Sequence, residues 1–210
     1  MAADTAAADA SVPLFPLNTV LFPGGLLTLK VFEARYLDMV SDCLRGGTPF
    51  GVVALTKGHE VRQAGHTEQF EAVGCLAEVL ECDSPTANIL HLRCRGSRRF
   101  RREGAPQQAA DGLWRSAIVP LAEEATVAPA PEHAGTVAAL SRAIDALAGQ
   151  GAAPFLPPTR LDDAAWVANR WCELLPIPPA ARQSLMELDD PLARLELVRR
   201  FLLQHQVIDA

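Results

Sequence analysis

The hydrophobic pattern of this 210-residue chain changes near Glu123, and this change limits what the chain can fold into. Before Glu123, short apolar runs alternate with Gly, Asn, Asp and Pro, whereas after it the apolar residues recur at helical spacing. Short apolar runs between turn residues are typical of β-strands, and a spacing of three to four residues is typical of amphipathic helices. The pattern predicts an α+β protein with a β-rich front half and a helical back half.

The front half is predicted to curl into a barrel-like or sandwich sheet, because its strands follow one another at short spacing. In residues 27–31, apolar Leu27, Leu29 and Val31 alternate with Thr28 and Lys30, as in a half-buried strand. The remaining strands are predicted at residues 12–17, 50–55, 70–81, 89–95, 97–101 and 113–121, and one helix is predicted at residues 34–45.

The first strand, residues 12–17, contains Pro13 and Pro16. Proline has no N–H group to donate to a neighbouring strand. We therefore expect this strand at an edge of the sheet or in an irregular pairing.

The back half is predicted to form a small helical bundle or to pack on the sheet. Asp190 followed by Pro191 is a typical helix start, since the aspartate accepts backbone N–H bonds and proline suits the first helical position. The predicted organisation is a disordered tail (1–11), a β-rich subdomain (12–121), a linker (122–131) and a helical subdomain (132–210).

The charge and cysteine content exclude several classes of protein. The formal net charge is −6, which disfavours binding to nucleic acid. The five cysteines are odd in number and include no Cys-x-x-Cys pair, so neither a disulfide framework nor a zinc ribbon is expected. Without a signal peptide or an apolar run of membrane-spanning length, the chain is expected to be cytoplasmic and away from membranes.

The sequence contains no recognisable reaction centre. It lacks a phosphate-binding glycine loop and a Gly-x-Ser-x-Gly nucleophile turn. His59 and His66 lie in a polar loop, where solvated side chains are more common than metal ligands. We expect no catalytic residue, no metal and no cofactor.

Two readings are open for a cluster of arginines within ten residues. The first is an anion or RNA site centred on Arg93, Arg95, Arg98 and Arg99. The second is the solvated face of a β-ribbon, paired with acids such as Glu78 and Glu81. The second is favoured, because Phe100 is the only aromatic residue in a segment where RNA-binding ribbons usually place several. The cluster consists of Arg93, Arg95, Arg98, Arg99, Arg101 and Arg102.

A series of aromatic residues, Phe15, Phe22, Phe32 and Tyr36, lies in the broken strands at the start of the chain. Core packing explains most of them. A regular sheet cannot cover every apolar residue in segments bracketed by Pro and Gly, so some are expected to be exposed in a groove. Glu33 and Arg35, beside them, are expected to form a local ion pair or to support the helix start.

Several segments of the chain resemble the LON substrate-binding domain, the N-terminal domain of Lon proteases. The most specific are PLFPLNTVLFPGG at residues 13–25 and LKVFEARYL at residues 29–37. Weaker similarity is seen in PFGVV at 49–53, GCLA at 74–77, GSRRFR at 96–101, DGLW at 111–114, LLP at 174–176 and LDDP at 188–191.

The resemblance implies a PUA-like β-rich pseudo-barrel followed by a helical subdomain, used to recognise protein substrates. The chain has no room for the ATPase and Ser-Lys protease modules that follow this domain in Lon, so a non-catalytic module is expected. Its expected partners are unfolded or extended protein segments, held by exposed apolar residues among Phe15, Phe22, Phe32 and Tyr36. A protease, a chaperone and a second copy of the chain are further partners that the sequence leaves open.

Overall fold

The computed structural model describes residues 11–58, 60 and 68–209. Apart from Ser11, the predicted tail lies outside the described residues. The structure divides into two compact units, one comprising residues up to Pro23 with Leu27–Leu121, and the other Gly24–Leu26 with the chain from Ala122 onward. No helix among the described residues is long and apolar enough to span a membrane.

The first unit is built on a mixed sheet with the order β2-β5-β4-β3-β1-β6, in which β6 also pairs with β5. This second pairing closes five strands into a barrel and leaves β2 attached to the outside of the ring. The predicted α+β class with a barrel-like β-rich part is thereby confirmed. The strands are β1 (Val12–Leu17), β2 (Leu26–Val31), β3 (Phe50–Lys57), β4 (Gln69–Thr86), β5 (Ile89–Gln108) and β6 (Trp114–Pro120).

Of the two alternatives expected for β1, an edge position or an irregular pairing, the structure shows the second, because neither ladder covers the whole strand. Strand β1 lies between β3, to which it is parallel, and β6, to which it is antiparallel. The register with β3 covers Leu14–Leu17 and the register with β6 covers Val12–Leu14. Pro13 therefore lies outside the first register and Pro16 outside the second. Each proline pairs across one ladder only, and this explains how an internal strand accommodates both.

Residues 89–95 and 97–101, predicted as two strands, form parts of the single strand β5. Gly96 does not end the strand, since it pairs with Ala77 of β4. At Phe100 and Arg101, β5 pairs with β4 and β6 simultaneously, so these two strands occupy opposite edges of β5. This double pairing is what closes the barrel.

Helix α1 (Ala34–Gly46) is inserted between β2 and β3 and covers one side of the sheet. Its buried residues Tyr36, Met39, Val40 and Cys43 belong to the same core cluster as Phe15 of β1. Leu14, the preceding residue, belongs to a second cluster with Val53, Phe70, Phe100 and Trp114. Successive residues of a strand point to opposite faces, so both faces of β1 are buried.

The second unit consists of helices, two of which begin at an aspartate cap. Asp163 caps α3 by accepting a hydrogen bond from the Ala165 N–H at 3.1 Å. Asp190 caps α5 by accepting from Leu192 and Ala193, with Pro191 as the first helical residue, as predicted. The unit contains a short 3-10 helix (Pro131–His133), α2 (Ala134–Gly149), α3 (Ala164–Leu174), α4 (Pro179–Glu187) and α5 (Pro191–Gln204).

Residues 122–131, predicted as a linker, are bonded to these helices. The Val127 carbonyl accepts a hydrogen bond from the Ala164 N–H at 2.7 Å, and the Glu124 carboxylate accepts one from the Asn169 amide at 2.8 Å. The segment is therefore fastened at two points to the start and middle of α3.

Candidate functional site

Three of the four predicted aromatic residues lie in the protein core. Phe15 stacks on Tyr36 with ring centroids 3.9 Å apart, and Phe22 is completely buried. These three side chains therefore pack in the core, as expected for most of the series, and they do not line an exposed groove. The physical reason is that α1 covers the face of the sheet on which Phe15 lies, although Pro and Gly interrupt the strands around it.

Phe32 is the exception, with 52% of its surface exposed. It follows β2 directly and precedes Glu33, the residue before the first turn of α1. A large aromatic side chain that is half exposed can still bury considerable apolar area against a partner. Phe32 is thus the member of the predicted series that is available for binding.

The ion pair predicted at the junction of β2 and α1 is confirmed. Arg35 is 5% exposed, and its Nε lies 3.0 Å from Glu33 Oε2. Its Nη1 donates to the carbonyl of Gly112 at 2.9 Å, and its guanidinium lies 4.5 Å from the centre of the Tyr36 ring. These contacts hold the start of α1, and with it the backbone beside Phe32, in one position.

Burial changes the acidity of Tyr36, which lies in the core beneath the junction of β2 and α1. It raises the pKa of Tyr36 above its ordinary value, although the positive charge of Arg35 acts in the opposite direction. Glu68 lies 4.0 Å from Arg35 Nη2 and accepts a hydrogen bond from Trp114 Nε1 at 3.3 Å. With the Tyr36 hydroxyl neutral and each carboxylate in contact with a donor, the cluster is suited to positioning the helix.

Strand β2 is at the end of the strand order and, in the described part of the chain, pairs only with β5. Its second edge therefore carries no neighbouring strand among these residues. Leu27 and Val31 are buried and Leu29 is half-buried, whereas Thr28 and Lys30 are exposed, as the alternation predicts. An open edge of this kind can pair with an added strand. We refer to Thr28, Lys30 and Phe32, together with the open edge of β2, as the β2 surface.

Sequence reasoning missed Thr28 and Lys30 as candidate site residues. The alternation places both on the outer face of a half-buried strand, which is a usable signal. It cannot show that the strand has an open edge, because that depends on which strands pair across the barrel.

The arginine cluster is largely engaged within the protein. Arg93 and Arg95 pair with Glu81 at 2.7 Å and Glu78 at 2.6 Å, the acids named from the sequence. Arg98 donates to the carbonyl of Leu121 at 2.8 Å, and Arg99 is 2% exposed. These four residues were the candidates for anion binding, and the contacts described for Arg93, Arg95 and Arg98 are all with groups of the protein itself. The solvated, paired ribbon is the better description.

No metal site is found among the described residues, because no three or more His, Cys, Asp or Glu side chains are grouped so that they could hold an ion. His59 and His66 lie outside the described residues. All five cysteines are free. Burial raises the pKa of Cys94 and of Cys172 to about 12, so these thiols stay protonated and are poor nucleophiles.

Comparison with known proteins places this fold among Lon N-terminal domains. A Lon N-terminal domain protein from Xanthomonas campestris is 34% identical and has a TM-score of 0.72, over 92% of this chain and 99% of that one. The N-terminal domain of the Mycobacterium avium complex Lon protease shares the fold at 16% identity, with a TM-score of 0.62 over 93% of this chain and 100% of that one.

The family itself is identified by sequence. No match was found among curated proteins. The sequence model of the ATP-dependent protease La (LON) substrate-binding domain, however, matches residues 11–204, which include both units of the structure and the β2 surface. The chain belongs to the LON substrate-binding domain family.

Proposed function

We propose that this protein binds unfolded or extended protein segments by adding them as a strand to the open edge of β2, with Phe32 as the main apolar contact. The observation that carries the proposal is the coincidence of an edge strand with a half-exposed aromatic residue at its end. We assign this role to the β-rich subdomain, residues 12–121, and regard residues 122–131 as a linker to a helical subdomain that ends at residue 210.

Strand addition fits a substrate-binding module that must accept many sequences. Backbone N–H and C=O groups provide the affinity in this mode, so little is demanded of the partner's side chains. An unfolded segment can offer these groups, whereas a folded protein has already paired most of its own. The neighbouring Phe32 adds apolar contact area, which also depends little on exact sequence.

The role we propose is binding without catalysis, in support of a protease or a chaperone that acts on the bound segment. Among the residues that the structure describes, the thiols with raised pKa values and the paired arginines and carboxylates offer no activated nucleophile near the β2 surface. Five free cysteines suit a reducing compartment, which supports a cytoplasmic location.

Replacing Phe32 by alanine is expected to weaken the binding of an unfolded protein about tenfold, which corresponds to about 1.4 kcal/mol. The loss follows from the apolar area that a half-exposed phenylalanine can bury against a partner. Fluorescence anisotropy with a labelled, reduced and carboxymethylated protein as the probe measures the change in Kd.

Val119→Ala is the matched control for this experiment. Val119 is also exposed, at 44%, but it lies in β6, which has neighbouring strands on both edges. The control should bind like the unaltered protein. Equal affinities for F32A and V119A, with both variants folded, would contradict the proposed function.

A further inference from the structure

The outer face of β2 presents an ordered row of side chains rather than a uniform apolar patch. Thr28 and Lys30 are exposed, and Phe32 continues the alternation by one step beyond the strand. Residues two apart in a strand point to the same side. A strand added to this edge would therefore have one residue opposite Lys30 and, two residues along, another residue opposite Phe32.

The charge of Lys30 is not matched by an ion pair among the residues that the structure describes. Lys30 lines a cleft of about 450 Å³ together with Arg93, Glu81 and Asp83. Arg93 and Glu81 neutralise each other at 2.7 Å. Asp83 is opposite His91 in the β4–β5 register, and no ion pair joins it to Lys30. Lys30 is thus the cation of this cleft that a partner can still engage.

We infer that the preferred segments carry a carboxylate side chain opposite Lys30 and a large apolar side chain beside Phe32, two residues apart. The inference rests on the proposed strand addition and specifies the partner's chemistry. Directly opposed side chains on paired strands have Cβ atoms about 4.5–5.5 Å apart, close enough for an ion pair or an aromatic contact. The spacing of two holds for either direction of the added strand.

The expected preference is modest because the ion pair would be exposed to solvent. A segment with Glu opposite Lys30 should bind about two- to fivefold more tightly than one with Gln, and Lys at that position should bind more weakly than Gln. The preference should shrink as salt is added, since exposed pairs are screened.

Three ten-residue peptides with the same backbone length test the inference. Each has Phe at a fixed position, with Glu, Gln or Lys both two residues before it and two residues after it, so that either direction of the added strand places one of these side chains opposite Lys30. The unaltered protein should rank them Glu, Gln, Lys in falling affinity, and Lys30→Glu should reverse that order. Lys57→Glu is the matched control, because Lys57 is also exposed but lies at the end of β3. It makes the same change in net charge and should leave the ranking as it is.

The outcomes separate the inference from the function on which it rests. If no peptide binds, the proposed strand addition and the inference both fail. If all three bind equally, or if K30E keeps the original ranking, the inference fails while the proposed function stands. Self-association that K30E abolishes, without discrimination among the peptides, would place a second copy of the chain on this edge and overturn the inference.

Discussion

Gly96→Ala is expected to lower the free energy of unfolding by about 3 kcal/mol or more. A Cβ atom at this position would overlap the backbone carbonyl oxygen of Phe22 and come within 3.0 Å of Leu21 Cγ. A flexible side chain could move aside, but a backbone carbonyl cannot do so without shifting the segment that carries the fully buried Phe22 ring. The family-like segment at residues 96–101 thus begins with glycine because two backbones approach closely there.

Urea unfolding followed by circular dichroism measures this effect, and Gly135→Ala provides the control. Gly135 lies in α2, its backbone angles are not strained, and a Cβ there would contact no neighbouring atom within 4 Å. The control should stabilise the protein by about 0.5–1 kcal/mol, because alanine favours helices more than glycine does. If the G96A variant unfolded at the same urea concentration as the unaltered protein, the backbone at Phe22 would be able to move aside at little cost, and the prediction would be wrong.

Gly96 also marks where sequence reasoning about the fold succeeded and where it failed. The strand predicted at residues 89–95 is present as part of β5, because burial on one face has a local signature in the sequence. The glycine at position 96 was interpreted as a break between two strands. Its actual cause is contact with a segment more than seventy residues earlier, and no local pattern reports such a contact.

The choice between an edge position and an irregular pairing for β1 could not be made from the sequence, for a similar reason. Pro13 and Pro16 correctly indicated that the strand could not be fully paired on both sides. Each proline takes part in only one of the two ladders of β1. Whether β1 has two neighbouring strands at all depends on its pairing with β6, which joins distant parts of the chain. Helix starts at Asp163 and Asp190 were predictable, in contrast, since a cap needs only its own next few residues.

The candidate site could be predicted only in part. The aromatic series contained Phe32, but nothing in the sequence distinguished it from Phe15 and Tyr36. The distinction arises because α1 covers one face of the sheet and leaves the outer face of β2 exposed. Lys30 was visible as a polar residue in an alternating strand, yet its position in a strand with one unpaired edge, within the described part of the chain, follows from the strand order alone.

The sequence also gave no sign of the most polar part of the helical unit. The helical spacing of apolar residues in the back half predicts apolar buried faces, but Arg194 lies on the buried face of α5 and is completely buried. Its guanidinium donates to Asn169 Oδ1 at 2.6 Å, to the carbonyl of Leu185 at 2.7 Å and to the carbonyl of Leu188. It also forms an ion pair with Glu124. These partners come from three different segments, so the arginine ties them together.

Arg194→Met is therefore expected to lower the free energy of unfolding by about 3–5 kcal/mol, as is usual when one partner of a buried ion pair is removed. Methionine roughly fills the volume of the aliphatic stem but donates no hydrogen bond. The Glu124 carboxylate, of which only 9% is exposed, would lose its ion pair with Arg194, and the carbonyls at the end of α4 would lose their contact with the guanidinium. Urea unfolding of the purified variant measures the loss.

Arg200→Met is the control, because Arg200 lies in the same helix with 70% of its side chain exposed and pairs only with Glu196 among the described residues. That change should cost less than about 1 kcal/mol. Combining R194M with Glu124→Gln should cost less than the sum of the two single changes, since each single change breaks the same ion pair between Arg194 and Glu124. Strict additivity of the two changes would mean that Arg194 stabilises the unit through the carbonyls of α4 and Asn169, and not through Glu124.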